Sequence, residues 1–510
     1  MNHKNLLHVL FILCVTMFYI SCGSDDPEIP TPNPPDPPVE ESSEKTITAF
    51  SFPATPNGLK AEIKGKISGT TIKLETKDWI DNIESLIPTF QGVGTVKIGD
   101  TEQVSGTTAN DFRKEVTYTV IAEDKSEIDY KVILKCPQST GLPVIKIDTE
   151  NGKPITDKEN YITANIKVID IENDENNLEK ETGIRGRGNS TWGYPKKPYR
   201  LKFDKKTSLF GLGKAKSWVL LANYQDPTLI MNSVAFELGH RFGLQYTNHV
   251  NHVELFLNGT YQGSYMLTEQ VQINEFRVNI DEDTGLLLEL DTYYEEYQFK
   301  TDRINLTVTV KNPETTEGVA EAKRVMKDLE DALFDSRKDF PNNNYKDMID
   351  INSLINFLLV NEITRNSELQ HPKSMFMYKE VDGKIQMGPL WDFDWGFGYR
   401  GSGFNYFANT TNMLLKPNYT GNLTGYKFFC RFFDDPEFRK AYKARWNELY
   451  TSKIANIDTY IDDMAALLQK SQTENFEIWK NNLDYNNQIS SMKDWIKTRI
   501  ESLNTAINQY

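Results

Sequence analysis

Two aspartates separated by one residue stand in the most distinctive segment of the chain, GPLWDFDWGFG at residues 388–398. In an extended conformation alternate residues lie on opposite faces, so Asp392 and Asp394 share one face and the aromatic residues share the other: Trp391, Phe393 and Trp395. Two carboxylates a few ångströms apart repel each other unless a proton or a cation lies between them. Hard oxygen ligands suit Mg²⁺ or Mn²⁺. The spacing therefore indicates a divalent-metal site, with exposed or structurally hydrogen-bonded aspartates as the alternative.

Two earlier segments supply cations that can meet anionic oxygens. Residues 185–192, RGRGNSTW, place two glycines one residue apart, which permits positive φ and close backbone approach beside the flanking arginines. The alternative is an ordinary tight hairpin. In residues 196–203, KKPYRLKF, alternating apolar residues predict a strand with Arg200 and Lys202 on one face. Such a face either neutralises a polyphosphate or lies in water.

The elements around these segments follow from their periodicity. An apolar strand at Ser217–Leu221 precedes a helix through Met231–Leu238, and two more strands are predicted at Glu254–Leu257 and Ser264–Leu267. Glu237 on that helix is a candidate partner for a strand cation, or else a surface glutamate.

Strands dominate the first part of residues 141–510 and helices dominate the second. Helical periodicity is clear at Ala320–Asp335, at Ile351–Thr364 and in the closing segment, where one apolar stripe repeats at helical spacing: Met492, Trp495, Ile496, Ile500 and Leu503. This order predicts the α+β class, and we interpret the stripes as core.

The first 45 residues are predicted to be a targeting signal and a stalk. Residues 1–21 contain an apolar run that is too short to span a bilayer and is typical of a signal peptide. Its end resembles a bacterial lipobox, which implies lipidation of Cys22 and anchoring in a membrane, expected to be the outer membrane with display at the cell surface. Ordinary secretion with a free Cys22 is the alternative. Residues 22–45 carry seven prolines between Pro27 and Pro38, mixed with acids, which is typical of an extended stalk.

Residues 46–137 alternate in the manner of β-strands. Val116, Tyr118 and Val120 point one way, and the turn at residues 123–126 joins two such runs. We predict a small antiparallel β-sandwich that resembles the Ig-like spacer domains of bacterial surface lipoproteins. It holds no acid–base or metal constellation, so a spacer or contact module is expected.

Composition excludes several classes of protein. The 510 residues carry a net charge of −15, whereas a nucleic-acid-binding protein usually has a basic surface. No apolar run reaches the roughly 18 residues of a membrane span, which excludes a multi-pass membrane protein. The chain has neither a G-x-S-x-G nor a P-loop motif. With Cys14 in the signal peptide and Cys22 assigned to lipidation, Cys136 and Cys430 are predicted to be buried free thiols, and a disulfide between them is the alternative.

Four segments, in this order, resemble the CotH kinase family over nearly all of residues 141–510: RGRGNSTW, KKPYRLKF, FLNGTYQGSYMLTEQV at 256–271, and WDFDWGFG. The resemblance implies an atypical protein-kinase-like fold that binds ATP with Mg²⁺ or Mn²⁺ and phosphorylates protein hydroxyls. It places Arg187 and Gly188 near the phosphates and Glu269 near the nucleotide. It also implies that Arg200 or Lys202 supplies the cation, that Glu237 pairs with it, and that Asp392 holds the metal with Asp394 beside it.

The loop before the metal segment departs from the family pattern. Spore-coat relatives place an aspartate there, followed about five residues later by an amide, whereas this chain offers Glu368 and Lys373. A glutamate can accept a proton, but its extra methylene displaces the carboxylate. A lysine cannot coordinate a cation, although it can contact a phosphate.

Two functions of different class are therefore predicted. The first is a membrane-anchored, ATP- and metal-dependent kinase acting on Ser or Thr of a protein substrate. The second is a kinase-shaped scaffold that has lost turnover and binds a surface protein or a glycan. The retained aspartate pair favours the first, and Glu368 and Lys373 favour the second. In both, contact with the membrane is through the lipid anchor only, and no nucleic-acid partner is expected.

Overall fold

A computed structural model describes residues 41–335, 340, 343–408, 411–481 and 483–510. The predicted signal peptide, Cys22 and the stalk up to residue 40 lie outside the described residues. No helix within the described ranges is long and apolar enough to cross a membrane.

The N-terminal part consists of two sheets that share one apolar core. Its strands are β1 (Thr46–Phe52), β2 (Ile63–Lys64), β3 (Lys66–Ser68), β4 (Thr71–Glu75), β5 (Thr89–Val93), β6 (Thr95–Ile98), β7 (Thr101–Glu102), β8 (Val116–Ile121) and β9 (Glu127–Lys135). One sheet has the order β2-β1-β5 and the other β3-β4-β9-β8-β6-β7. Tyr118 and Val120 are fully buried, as their alternation predicts. Because β4 pairs with β9 in parallel, the larger sheet is mixed and not purely antiparallel.

A closed seven-stranded barrel follows. Its strands are β10 (Val144–Thr149), β11 (Ile162–Ile169), β12 (Leu178–Gly186), β13 (Tyr199–Thr207), β14 (Ala215–Leu221), β15 (Asn251–Leu257) and β16 (Thr260–Glu269), with α1 (Met231–Phe242) between β14 and β15. The order is β10-β11-β12-β13-β14-β16-β15, and a parallel pairing of β10 with β15 closes the barrel. The alternating apolar residues of β13 point inward, since Leu201 and Phe203 are buried in the barrel core.

A five-stranded sheet and most of the helices form the rest of the chain after the barrel. The strands are β17 (Leu286–Leu290), β18 (Gln298–Lys300), β19 (Thr307–Asn312), β20 (Met375–Lys379) and β21 (Gln386–Met387), in the order β18-β19-β17-β20-β21. The helices are α2 (Thr316–Phe334), α3 (Ile351–Ile363), α4 (Thr424–Phe432), α5 (Pro436–Ser452), α6 (Ile457–Leu468), α7 (Ser471–Trp479) and α8 (Tyr485–Ile507). Most strands precede most helices, and α4 to α8 follow the last strand, which confirms the α+β class.

Helix α3 is central because it is apolar around most of its circumference. Asp350 caps its start by accepting a hydrogen bond from the Ser353 amide at 2.7 Å. Near its end, Glu362 forms an ion pair with Arg499 of α8 at 2.7 Å, and both side chains are fully buried. The Glu362 carboxylate also accepts hydrogen bonds from two amides of a neighbouring loop. This network joins the end of α3 to the last helix.

Ion pairs also join the N-terminal sheets to α7. Glu474 of α7 lies 2.5 Å from the Lys77 ammonium and 2.6 Å from that of Lys135. Its side chain is 6% exposed, so these pairs are stronger than ordinary surface contacts. Nearby, Trp79 packs edge-on against Phe256 at 5.4 Å between ring centres. The N-terminal sheets and α7 are therefore held in one arrangement.

Cys136 and Cys430 are buried free thiols, as predicted.

Candidate active site

The aspartate segment is a loop, and the prediction of an extended strand is wrong. Asp392 and Phe397 adopt left-handed backbone conformations, with φ of 58° and 51°, so side chains do not alternate between two faces. Trp391 and Phe393 do lie in the core, both 6.4 Å from the Phe236 ring of α1. Trp395 is 39% exposed and does not anchor the segment. Alternation in the sequence did not distinguish a strand from successive turns.

Asp392 and Asp394 nevertheless line the same pocket. Asn232 of α1 fixes their loop, because its side-chain oxygen accepts the Phe393 amide at 3.0 Å and its side chain also hydrogen-bonds to Asp394. Burial raises the pKa of both carboxyls, and the charge of Asp392 raises the pKa of Asp394 further. A pair of this kind retains a proton unless a cation enters.

The glycine-rich turn reaches this aspartate pair. Gly188 has φ of +81°, and a Cβ added there would lie 2.1 Å from the Thr191 hydroxyl oxygen. The turn thereby places Arg187 over the Trp391 ring at 5.4 Å, and its charge lowers the pKa of Asp392 against the effect of burial. Two segments some 200 residues apart in the sequence thus meet as the resemblance implies.

Replacing Gly188 with alanine is expected to disturb this turn. An alanine would hold a strained left-handed conformation and press on Thr191, at a cost of about 1–3 kcal/mol. We expect a matching loss of unfolding free energy in urea titrations. The control is Gly193→Ala, because a Cβ at Gly193 meets no atom within 4 Å. Equal effects of the two substitutions would show that the turn tolerates a side chain.

The turn and Asp392 line a cavity of about 890 Å³ with two unlike walls, and Asp394 lies in the smaller pocket that adjoins it. One wall is basic and comes from β12, β13 and the adjoining turns: Lys158, Arg185, Arg187 and Arg200. The other is mainly acidic and comes from β17 and the loops near β20: Glu289, Asp291, Glu368 and Asp392. The volume suits a small-molecule ligand.

Two arginines of the basic wall lie side by side, and part of each guanidinium group lacks a hydrogen-bond partner among the described residues. Arg185 and Arg200 are directly opposite each other on β12 and β13, an arrangement in which like charges are destabilising. Their Nε atoms are buried and have no hydrogen-bond partner within the described part of the chain. Lys202, the alternative strand cation, is exposed and does not line the cavity. Of the two predicted cations, Arg200 therefore lies in the site.

Glu368 faces the aspartates from a loop that is tied to theirs. Ser367 donates through its amide and its hydroxyl to the Trp395 carbonyl, at 3.2 and 2.8 Å. Glu368 is 6% exposed, and its Oε2 has no partner among the described residues. Burial, together with the charges of Asp392 and Asp394, raises its pKa well above the usual range. The Lys373 ammonium lies between two aromatic rings, 5.1 Å from Tyr293 and 4.8 Å from Trp395.

Comparison with known proteins agrees with this geometry. A family model described as CotH kinase protein matches residues 184–503, more than half of the chain. The chain belongs to the CotH kinase family. Among curated proteins, none matches it. The matched range includes the glycine-rich turn, the cationic strand, the Glu368 loop and the aspartate segment, and it leaves out the N-terminal sheets and the first strands of the barrel.

The resemblance to the CotH kinase family implied roles near the nucleotide for Glu237 and Glu269. Both side chains make other contacts. Glu237 forms an ion pair with Arg241, one turn along α1, at 2.7 Å, so its predicted pairing with Arg200 or Lys202 is wrong. Glu269 is buried, and its carboxylate accepts from the His249 amide at 2.8 Å and pairs with its ring at 2.7 Å. Neither glutamate lines the cavity, but Gln270 and Val271 do, so the segment around Glu269 lies beside the cavity although the Glu269 side chain does not.

The sequence reasoning missed a third group of carboxylates in this CotH kinase domain. Glu289 lies in the apolar strand β17, and Asp291 follows that strand. Burial raises the pKa of Glu289 to about 8, and the neighbouring Lys311, 3.7 Å away, opposes the rise. An acid inside the run LLLEL is a detectable signal, because buried acids are rare unless they are paired.

Lys196 was also overlooked, although it lies between the cationic strand and α7. It is 1% exposed and donates to the Ser264 carbonyl and to Asn475. Burial lowers its pKa to about 7. Between pH 7 and 10.5 the unfolded chain therefore binds more protons at this residue than the folded chain does.

The free energy of unfolding is consequently expected to rise over that pH range, by up to about 1.4 kcal/mol per pH unit. Lys196→Met should remove this rise, and urea titrations at pH 7, 8 and 9 would measure it. The control is Lys197→Met at the partly exposed neighbour. A slope that survives in Lys196→Met would assign the pH dependence to another group.

Proposed function

We propose that this chain is a membrane-anchored kinase that binds ATP with a divalent metal and phosphorylates Ser or Thr of a protein. The observation that carries the proposal is the polarity of the cavity: unsatisfied arginines on one wall face a cluster of buried carboxylates on the other. Phosphoryl transfer requires both, because the protein contributes mainly positioning and charge stabilisation.

The basic wall fits the phosphates of a nucleotide. Arg185 and Arg200 repel each other, and an anion between them would relieve the repulsion and give their free Nε atoms acceptors. The turn at Gly188 brings backbone close to the same space. Arg187, next to both walls, orients a phosphate relative to Asp392.

The acidic wall fits a divalent metal. Asp392 and Asp394 supply two carboxylates from one short loop, the donor type that Mg²⁺ and Mn²⁺ prefer. Burial raises the pKa of both carboxyls, and the charge of Arg187 opposes that rise only in part, which supports a further cation at the pair. A bound metal supplies charge neutralisation for the transferred phosphoryl group. Asn232 holds the aspartate loop in place, and the charge of Arg187 favours the ionised form of both carboxyls.

We propose that Glu368 accepts the proton of the substrate hydroxyl at Oε2, which has no hydrogen-bond partner among the described residues. Its raised pKa works against this role in the free protein, because a protonated carboxyl cannot accept. The Lys373 charge lowers that pKa, and the two rings that flank Lys373 keep its ammonium at the cavity. We propose that Lys373 also contacts a phosphate, as its position on the cavity lining allows.

The scaffold function is favoured by one observation. Glu368 is buried beside two like charges, which opposes ionisation and therefore catalysis. A kinase-shaped domain with a protonated Glu368 would still bind a surface protein or a glycan.

The membrane anchor is proposed from the sequence, because Cys22 lies outside the described residues. We propose that Cys22, at the end of the lipobox-like sequence, carries the lipid that anchors the chain in the outer membrane, displayed at the cell surface.

Calorimetric titration with ATP, with and without Mg²⁺ or Mn²⁺, tests the nucleotide site. We expect binding that depends on the metal. A phosphotransfer assay on protein substrates, comparing the wild-type chain with Glu368→Gln, then separates the two functions. Loss of transfer in Glu368→Gln with unchanged ATP binding supports the kinase. ATP binding without transfer by the wild-type chain supports the scaffold, and no ATP binding at millimolar concentration rejects the proposed kinase.

A further inference from the structure

A second large cleft lies far from the active-site cavity, between the N-terminal sheets and the helices. Its volume is about 1040 Å³. One wall is the outer face of β3, β4 and β9, and the other is the junction of α6 and α7. Seven Lys and Arg side chains line it against three glutamates. The cleft is thus strongly basic in a protein whose net charge is −15.

Several of these cations have no counter-ion. No carboxylate lies within 4 Å of the ammonium groups of Lys66, Lys73, Lys114 or Lys470 in the described parts of the chain. Lys66 and Lys73 are directly opposite each other on β3 and β4, and both are exposed. Like charges in register destabilise a strand pair. An anion bound between them would remove that cost.

The cleft is also held open before any ligand arrives. Glu474 bridges Lys77 and Lys135 across the junction at 2.5 and 2.6 Å, and Lys470 donates to the Ser139 carbonyl at 3.2 Å. These contacts fix both walls, so binding does not require the two parts to be ordered first. Binding to a preformed site costs less free energy for ordering the protein than binding to a flexible site does.

The lining indicates which kind of anion fits. No aromatic ring is present in it, so it offers no platform for stacking nucleic-acid bases. Side chains of three neighbouring strands point into it from the face of a sheet, whereas an extended peptide is usually held by the main chain of a sheet edge. Six of the seven cations are lysines, which act as point charges. Hydroxyl and amide side chains lie among them: Ser68, Ser139, Thr140, Gln469 and Thr473.

We propose that this cleft binds a linear acidic polysaccharide. Carboxylate or sulfate groups along the polymer meet the unpaired lysines, and its hydroxyl groups meet the hydroxyl and amide side chains. The site is independent of the nucleotide cavity, so the full-length protein would hold such a polymer whether or not it transfers phosphate.

Binding of the purified full-length chain to polygalacturonate and to dextran sulfate tests the proposal, with neutral dextran and polyglutamate as comparison polymers. We expect binding to at least one acidic polysaccharide that weakens as salt rises, and none to dextran. Lys66→Glu/Lys73→Glu should weaken it by about tenfold or more. The matched control is Lys205→Glu/Lys206→Glu, which changes net charge equally at two exposed residues outside the cleft, and its effect should stay below about twofold.

Thermal unfolding establishes that the variants are folded, and Lys66→Thr/Lys73→Thr replaces the charge reversal if that protein does not fold. Use of both acidic polymers shows whether carboxylate or sulfate is preferred. No binding to either polymer would overturn the proposal, as would equal weakening in the two charge-reversed proteins. Polyglutamate binding as tight as that of the polysaccharides would also overturn it and would assign the cleft to acidic peptides.

Discussion

Replacing Asp392 with asparagine is expected to raise the free energy of unfolding by about 1–2 kcal/mol while weakening metal-dependent nucleotide binding by at least about 100-fold. The first effect arises because burial raises the pKa of both carboxyls and the charge of Asp392 raises the pKa of Asp394 further. A neutral side chain removes their repulsion. The second effect arises because an amide oxygen cannot replace the charge that attracts a divalent metal.

Asparagine is the appropriate substitution because residue 392 has φ of 58°. Asparagine tolerates the left-handed region better than most residues, so the loop should keep its conformation, whereas alanine would add strain. Urea unfolding and calorimetric ATP titration with Mn²⁺ measure the two quantities. The control is Asp382→Asn at an exposed turn. A less stable Asp392→Asn protein, or one that binds nucleotide normally, would contradict the assigned role.

Replacing Arg499 with methionine is expected to lower the free energy of unfolding by about 3–5 kcal/mol. The substitution leaves the fully buried Glu362 carboxylate without its cation, and burial already raises the pKa of Glu362. The pair lies where α8 packs against the end of α3. Urea titrations at pH 7 would measure the loss.

The control for this loss is Arg324→Met. Arg324 is 60% exposed and pairs with Glu321 and Asp328 along α2, so its removal should cost less than about 1 kcal/mol. The double variant Glu362→Gln/Arg499→Met should recover part of the stability, because no buried charge then remains. Similar losses of unfolding free energy in Arg324→Met and Arg499→Met would mean that the buried ion pair contributes no more to stability than an exposed one.

Much of the fold follows from the sequence because its patterns are local. Alternation predicts β13 and β8 correctly, since each strand has one face in a core, and helical spacing predicts α2, α3 and α8. The meeting of Arg187 with Asp392 came from resemblance to a family and not from periodicity. Nothing local in the two segments shows that they are neighbours in space.

The errors have physical causes too. The period of two in the aspartate segment also fits a loop whose backbone reverses at Asp392, and local pattern does not report the sign of φ. The pairing of Glu237 with a strand cation came from the family resemblance, whereas Arg241 on the same helix is a nearer partner at the usual spacing of one turn. Glu289 and Asp291 join the site only through the pairing of β17 with β19 and β20, which a linear sequence does not show.

The closure of the barrel has a consequence for the order of folding. β10 pairs with β15, so Ile145 lies opposite Leu255, and closing a loop of about 110 residues costs roughly 4 kcal/mol in chain entropy. Residues 187–198 join β12 to β13, so this pairing closes a much shorter loop than the barrel does, at a smaller cost in chain entropy. Arg185 and Arg200 are thus brought together early, while the barrel that encloses them closes late. If Arg185 and Arg200 bind phosphate as proposed, we expect phosphate in a refolding buffer to reach this pair before the rest of the cavity exists and to speed the folding of the barrel.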